Sequence, residues 1–295
     1  MARGPADPRA LRYPGEGRPL PDAAARTASD REAVERCGFT DMMMMEAAGE
    51  ACARAVAEAA PVGPLRFLCG PGNNGGDGWI IARRLAAAGR DILVLSTGTP
   101  ASEHARSARS ASLGLGVREY RLAPGNRSTG SNASPEVPEL EWLLPRDCTV
   151  VDALFGPGSP RPLGAGWNSV ATRIADKGIP VLSVDAPSGG TEPRVSARRT
   201  LAVETIARES LLPSERDYCG MLQLIPAGFP PELAALRQSD RLLDAELLPE
   251  LLQPLRRGVH KHGRGCLSVF AGSAEMPGAA ILSGLGAGSG PSGLT

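Results

Sequence analysis

Short apolar runs alternate with segments of helical periodicity along most of the chain. The runs carry apolar side chains at consecutive positions, as expected of strands that are buried on both faces of a parallel sheet. The predicted strands are 65–69, 91–95, 117–122, 148–155, 179–185, 201–207 and 221–225. The predicted helices are 28–37, 42–60, 103–113 and 167–176. A further helix is predicted between the first two strands and is established by residue 79. This alternation predicts an α/β fold, with a Rossmann-like doubly wound, mainly parallel sheet flanked by helices.

Polar and proline-rich segments divide the chain into regions. Residues 1–19 contain four prolines and no apolar period, which predicts a disordered tail. We expect one domain over 20–231, with a surface insertion at 123–138, and a helical connector over 232–257. Residues 258–295 differ in composition from the preceding region. They are predicted to form a loop, a strand and a small-residue helix. They are too few to bury a core, so we interpret them as the start of a second domain.

Composition narrows the classes of function. The 295 residues include 32 basic and 32 acidic side chains, and this balance gives no electrostatic footprint for nucleic acid. No apolar run is long enough to span a bilayer, and the N-terminus lacks the apolar core of a secretory signal. The six cysteines are scattered without a CxxC pair, which indicates reduced thiols and a cytoplasmic protein. We therefore expect a small-molecule ligand, no nucleic acid and no membrane.

A glycine-rich segment, GPGNNGGDG, follows the first strand of the 20–231 region and precedes a helix. Its glycines are expected to adopt positive φ and to let the backbone approach a ligand. The G-x-G-x-x-G spacing also occurs in Rossmann oxidoreductases, but the acid that such enzymes place at the end of the second strand is missing. The lysine of a phosphate-binding P-loop is missing as well. The polar residues suit ligand recognition or a hard cation, and the candidates are Asn73, Asn74, Gly75, Gly76 and Asp77.

Two further strands deliver an acidic residue near their carboxyl ends. Asp152 lies in VDALFGPG and Asp185 lies in SVDAPSG. Because ligands of open parallel sheets bind beyond the carboxyl ends of the strands, we expect both carboxylates to share a crevice with the Asn73–Asp77 segment. Partial desolvation would raise their pKa toward neutrality. Both are therefore candidates for general acid or base catalysis.

Together these motifs resemble the NAD(P)H-hydrate epimerase domain, also called the YjeF N-terminal domain family. GPGNNGGDG, VDALFGPG and SVDAPSG occur in the family's order, after a Met-Glu-Ala-Ala-Gly segment that is similar to the family's. The resemblance covers 20–231. Residues 258–295 resemble the opening of the ADP-dependent NAD(P)H-hydrate dehydratase domain, which is fused to the epimerase in bifunctional repair enzymes. As only that opening is present, we expect no dehydratase activity from this chain.

The resemblance implies an isomerase that interconverts the R and S forms of hydrated NADH and NADPH at C6. It implies a K⁺ ion held by Asn74, Asp152 and Ser188, while ADP would serve only the dehydratase domain. Asp185 is the preferred acid/base, with Asp152 as a second candidate. The substrate contacts implied are those from Asn73 to Asp77, Asp185, and the loop residues Gly156, Pro157, Gly158, Ser159, Pro160, Arg161 and Pro162.

Two alternatives remain beside this hypothesis. A similar domain in decapping-enhancer proteins is a non-catalytic module that binds RNA or a protein partner, and the neutral charge argues against that function here. A Rossmann oxidoreductase would need the missing ribose-binding acid. The sequence leaves open whether the chain is a monomer, a homodimer or a larger homo-oligomer.

Overall fold

The structure is a computed structural model that describes residues 17–122, 137–158, 161–229, 233, 236, 239–243, 258–260 and 266–289. The chain divides into two compact units, Met1–Leu243 and Asp244–Thr295. Most of the predicted tail and nearly all of the predicted 123–138 insertion lie outside the described residues. None of the helices that the structure describes is long and apolar enough to cross a membrane.

A seven-stranded parallel sheet forms the centre of the first unit. The strands of this unit are β1 (Arg18–Leu20), β2 (Leu65–Cys69), β3 (Ile92–Ser96), β4 (Arg118–Arg121), β5 (Thr149–Ala153), β6 (Val181–Val184), β7 (Arg199–Val203), β8 (Met221–Ile225) and β9 (Asp240–Leu242). The sheet order is β4-β3-β2-β5-β6-β7-β8, and every neighbouring pair is parallel. The predicted doubly wound parallel sheet is confirmed.

Helices cover both faces of this sheet, which explains why the strands are apolar at consecutive positions. They are α1 (Ala23–Cys37), α2 (Asp41–Ala59), α3 (Asn73–Ala87), α4 (Glu103–Gly114), α5 (Val137–Leu143), α6 (Ala165–Lys177) and α7 (Pro213–Cys219), with a 3₁₀ turn at Arg208–Leu211. One core cluster joins α2 and α3 to one face, and a second joins α5 and α6 to the other. A Cβ on Gly49 would lie 2.4 Å from Ile80 Cγ2, so glycine allows α2 and α3 to pack closely.

A small two-stranded sheet corrects two predictions about the ends of the first unit. β1 pairs antiparallel with β9, with Arg18 opposite Leu242, although 1–19 was predicted to lie outside the fold. The helical connector predicted over 232–257 is likewise interrupted by β9. Both strands are only three residues long, and Pro19 falls within β1. Such short edge strands carry no periodic signal, and a proline is tolerated there.

The second unit contains one long described element, the helix α8 (Gly278–Gly288). This agrees with the small-residue helix predicted near the end of the chain. The strand predicted before it is not seen. Cys266 forms a single bridge, and residues 267–277 form neither strand nor helix. A strand requires a neighbour to pair with, and the described residues of this unit offer no second strand.

Candidate functional site

The carboxyl ends of β2, β5 and β6 meet along one edge of the parallel sheet. The strand order reverses between β2 and β5, and this is the switch point at which open α/β sheets bind ligands. α3 begins with Asn73 just after β2, Asp152 lies within β5 near its end, and Asp185 directly follows β6. The fold therefore brings the predicted residues of three separate segments to the same edge.

Asn73 to Gly78 form the first turns of α3 and are not the separate turn that the sequence suggested. No glycine between Gly70 and Gly78 has positive φ, so that expectation is wrong. The glycines are required by close packing. A Cβ on Gly75 would lie 2.0 Å from the Gly70 carbonyl oxygen, and one on Gly78 would lie 2.7 Å from Ala153 Cβ. Glycine thus seats the start of α3 against the strands.

The Asn74 side chain has unmet hydrogen-bonding capacity. Its Oδ1 and Nδ2 atoms are buried, and neither has a partner among the described residues. A Cβ on Gly156 would lie 3.8 Å from Asn74 Cβ, so the loop after β5 runs beside this amide. An unpaired buried polar group costs about 1–3 kcal/mol. The amide oxygen therefore fits a ligand from outside the chain, and its chemistry suits a hard cation.

Asp152 is fully enclosed, with 0% of its surface exposed. Its Oδ1 accepts from the Ser188 hydroxyl at 2.6 Å and the Leu154 N–H at 3.2 Å. Its Oδ2 accepts from the Ser183 hydroxyl at 2.9 Å and the Ser188 N–H at 2.8 Å. Burial raises the pKa of Asp152, while these hydrogen bonds lower it. A carboxylate has about four acceptor positions, so Asp152 is satisfied by protein donors without a cation.

Asp185 is held differently. Its φ is 63°, in the left-handed region that few residues other than glycine, asparagine and aspartate adopt. Its Oδ1 accepts from the Val203 N–H at 3.1 Å and from Arg26 Nη2 at 3.0 Å. No described residue donates to Oδ2. Burial alone would lower the pKa of Arg26, but the charge and hydrogen bond of Asp185 raise it overall. The surrounding elements therefore fix Asp185 and leave one of its oxygens free for a ligand.

A cavity of about 160 Å³ lies beside Asp185, and we call it the acidic cavity. Five carboxylates and one guanidinium are among the described residues that line it. These are Asp30, Asp41, Asp77, Asp185, Glu204 and Arg26. Asn73 also lines the cavity, and Met44, Met45 and Phe229 contribute apolar wall. The acidic cavity thus combines apolar surface with strongly negative polar groups.

Asp77 has no hydrogen-bond or ion-pair partner among the described residues, and its carboxylate is half-buried. Asp30 has no such partner either, but it is exposed. Burial raises the pKa of Asp77 well above its usual range, the charge of Asp185 raises it further, and Arg26 lowers it. These surroundings therefore favour the protonated form of Asp77 more than those of an ordinary aspartate do.

Sequence analysis missed Arg26, Asp30 and Glu204. Arg26 and Asp30 lie on α1, where no motif marks them. Glu204 repeats the pattern of Asp185, because it directly follows β7 and has φ of 58°. Its Oε1 accepts from the Phe229 N–H at 3.0 Å. An acid in the middle of the predicted 201–207 strand, which in the structure ends at Val203, was the one available signal for this residue.

None of the described residues in the loop after β5, which was predicted to hold the substrate, lines the acidic cavity. Gly156 and Pro157 line a second cavity of about 130 Å³, together with Glu209, Ser210 and Cys219. A Cβ on Gly158 would lie 3.5 Å from Ala23 Cβ, Arg161 Cζ lies 4.0 Å from the Phe155 ring centroid, Pro162 is exposed, and Ser159 and Pro160 lie outside the described residues.

The acid that a Rossmann oxidoreductase requires is not supplied from β4 either. Glu119 on β4 accepts from the Ser96 hydroxyl at 2.7 Å and from Arg109 Nε at 2.8 Å. Burial opposes ionisation of Glu119, but hydrogen bonds from Arg109, Ser96 and Arg121 lower its pKa to about 2. This carboxylate is fully engaged by the protein, so it is not a free ribose ligand.

A family model for the YjeF-related protein N-terminus matches residues 41–207. The chain belongs to this YjeF N-terminal family. The matched range contains Asn74, Asp152 and Asp185, whereas Arg26 precedes it.

Two relatives illustrate the range of this family. The bifunctional NAD(P)H-hydrate repair enzyme Nnr of Thermanaerovibrio acidaminovorans is 34% identical over 269 residues, which cover 88% of this chain and 50% of that protein. The NAD(P)H-hydrate epimerase of Pirellula staleyi is 28% identical over 211 residues, covering 69% of this chain and 90% of that protein. The chain spans about half the length of the bifunctional relatives it matches.

A solved structure supports the YjeF N-terminal fold. The yeast protein YNL200c has a TM-score of 0.54 and 22% identity to this chain, and the match covers 65% of this chain and 82% of the yeast protein. At this identity the likeness concerns the fold alone.

Proposed function

We propose that this chain epimerises hydrated NADH and NADPH, interconverting their R and S forms at C6 of the reduced pyridine ring. The family membership and the names of its relatives support the reaction class. The observation that carries the proposal is the acidic cavity at the sheet edge, with Asp185 held so that one oxygen is free. At about 160 Å³ the cavity suits a single ring better than a whole dinucleotide.

The chemistry of the substrate explains why such a cavity is useful. C6 carries the hydroxyl and is bonded to the ring nitrogen, whose lone pair can help to expel the hydroxyl as water. The ring then carries a positive charge until water adds to the opposite face. Fixed negative groups stabilise a charge that develops during the reaction. Of the five acidic side chains around the acidic cavity, opposed by Arg26 alone among its described lining residues, those that are ionised would serve this purpose.

Asp185 is the proposed acid/base. Its Oδ1 is occupied by Arg26 and the Val203 N–H, so its other oxygen can exchange a proton with water or hydroxyl at C6. The backbone at φ of 63° fixes the carboxylate relative to β6 and β7. No redox step is required, because the oxidation state of the ring is the same before and after epimerisation.

We propose that the Asn74 amide oxygen would hold K⁺. Asp152 and Ser188 are the other two K⁺ ligands that the family resemblance implies. Bound K⁺ would supply a fixed positive charge for oxygen atoms of the substrate. The unpaired Asn74 atoms support this assignment, whereas Asp152 and Ser188 already satisfy each other. All six cysteines are free, which supports a reducing compartment such as the cytoplasm.

The decisive experiment follows the conversion of purified (R)-NADHX by chromatography that resolves the two epimers. We expect the chain to approach the equilibrium ratio much faster than buffer alone or heat-unfolded protein. Conversion no faster than the spontaneous rate would reject the epimerase proposal. Salt-sensitive RNA binding in that case would favour the binding-module alternative.

A further inference from the structure

Asp77 and Asp185 are two carboxylates of one cavity, and of the two only Asp185 has hydrogen-bond partners among the described residues. Both line the acidic cavity, but Arg26 donates to Asp185 Oδ1 at 3.0 Å and, in the part of the chain that the structure describes, makes no hydrogen bond to Asp77. Asp77 lies in the second turn of α3, where the favourable effect of the helix N-terminus on an anion has declined. The protein thus provides a positive partner for one carboxylate and none for the other.

The charged and titratable groups around Asp77 come from several elements. Its electrostatic neighbours are Asp185 after β6, and Arg26 and Asp30 on α1. The Cys52 thiol of α2 also interacts with both Asp77 and Asp185, and burial together with these charges raises the pKa of Cys52 well above its usual range. A neutral thiol and one guanidinium that is already engaged cannot neutralise three carboxylates. The arrangement therefore favours a proton on Asp77, which lacks the hydrogen bonds of Asp185 and is less exposed than Asp30.

Epimerisation through loss and return of water needs two proton transfers. The departing hydroxyl must gain a proton as the C6–O bond breaks, with the ring nitrogen supplying the electron pair. The incoming water must lose a proton as the new C6–O bond forms on the other face, and that electron pair returns to nitrogen. One proton is consumed and one is released, so an acid and a base are needed in each direction.

We infer that Asp77 is the second proton-transfer residue, which protonates the departing hydroxyl while Asp185 accepts the proton of the incoming water. This inference rests on the proposed epimerase function and adds a residue to it. In the reverse direction the two residues exchange tasks. A carboxyl group without a hydrogen-bond partner, in one cavity with a carboxylate that is ion-paired, is the arrangement that general acid and base catalysis requires.

The test compares Asp77→Asn with the matched control Glu58→Gln, which changes an exposed carboxylate on α2. We expect Asp77→Asn to lower kcat about 100-fold or more with KM within a few-fold of wild type. The Glu58→Gln variant should retain wild-type kcat and KM. The unfolding midpoint of Asp77→Asn should equal or exceed that of wild type, because the variant removes a half-buried carboxylate without a partner.

The pH profile gives a readout that a purely structural residue would not change. A general acid must be protonated, so wild-type kcat should fall as pH rises through the raised pKa of Asp77. That alkaline limb should be absent in Asp77→Asn and present in Asp77→Glu, which keeps a carboxyl group. Should Asp77→Asn fail to fold, Asp77→Glu decides: a flat alkaline profile overturns the inference, and a retained limb at shifted pH supports it.

The outcomes separate the inference from the function on which it rests. Wild-type conversion at the spontaneous rate would remove the epimerase proposal and the inference together. An active wild type with a normal kcat and an unchanged alkaline limb in Asp77→Asn would overturn the inference alone.

Discussion

Asp152 and Asp185 end neighbouring parallel strands in similar local sequences, yet their surroundings are opposite. Asp152 is enclosed and accepts four hydrogen bonds from protein donors. Asp185 accepts two on one oxygen, pairs with Arg26 and borders the acidic cavity with the other oxygen free. The same strand-end signal therefore produces one carboxylate that joins segments of the protein and one that is available to a ligand.

The register of the sheet explains this difference. Asp152 pairs directly with Ser183 of β6, so the neighbouring strand places a hydroxyl beside its carboxylate. Asp185 lies beyond the end of β6, where β7 offers the backbone of Leu201 and Val203 instead of hydroxyl side chains. An acid within a strand is thus satisfied by its register partner. An acid that lies one residue past the end of its strand depends for its partners on loops and on helices such as α1.

The comparison is tested most strongly by Asp185→Asn. Asparagine keeps the shape and tolerates positive φ, so the fold should be retained, but it cannot accept a proton from water. We expect kcat to fall about 1000-fold, with an unfolding midpoint close to wild type. Asp217→Asn, which changes an exposed aspartate of α7, serves as the control. Turnover within tenfold of wild type would remove Asp185 as the acid/base.

Asp152→Asn should differ from Asp185→Asn, because its main effect should be a large loss of stability. If the new NH₂ group takes the place of Oδ2, it faces two donors, Ser183 Oγ and the Ser188 N–H. If it takes the place of Oδ1, it faces Ser188 Oγ and the Leu154 N–H. We expect the free energy of unfolding to fall by about 2–4 kcal/mol, measured as a lower urea midpoint at constant slope. Asp176→Asn at the exposed end of α6 should change it by less than about 0.5 kcal/mol. A stable variant without turnover would instead assign Asp152 to catalysis.

Arg26 is expected to act through Asp185, as a positioning residue. Arg26→Gln removes the charge and the hydrogen bond to Asp185 Oδ1, so we expect kcat to fall about tenfold while KM changes little. Arg26→Lys should recover part of kcat because it restores the positive charge. Arg36→Gln, an exposed change on the same helix, is the control. Equal losses in the Gln and Lys variants at unchanged KM would argue against positioning by charge.

Much of this arrangement could be predicted from the sequence, because the buried strands and the strand-end acids are local patterns. Strand β2 and strand β8 have the predicted bounds, and the fold class is confirmed. Arg26 could not be predicted, since its ion pair with Asp185 joins residues 159 positions apart. Nor could the satisfied state of Asp152, which depends on the β5–β6 register. The glycines of α3 were misread because close packing and positive φ select the same residue.

The smallest expected effect concerns Asn74 and asks whether a cation belongs to this edge of the sheet. Its buried amide has no partner in the described chain, so a bound K⁺ would stabilise the folded state by mass action. We expect K⁺ to raise the unfolding midpoint of the wild type by a few degrees relative to a large organic cation at equal ionic strength. Asn74→Leu should show no such rise and should match or exceed the wild-type midpoint without K⁺. An equal rise in both proteins would place the cation elsewhere and leave Asn74 as a substrate contact beside Gly156.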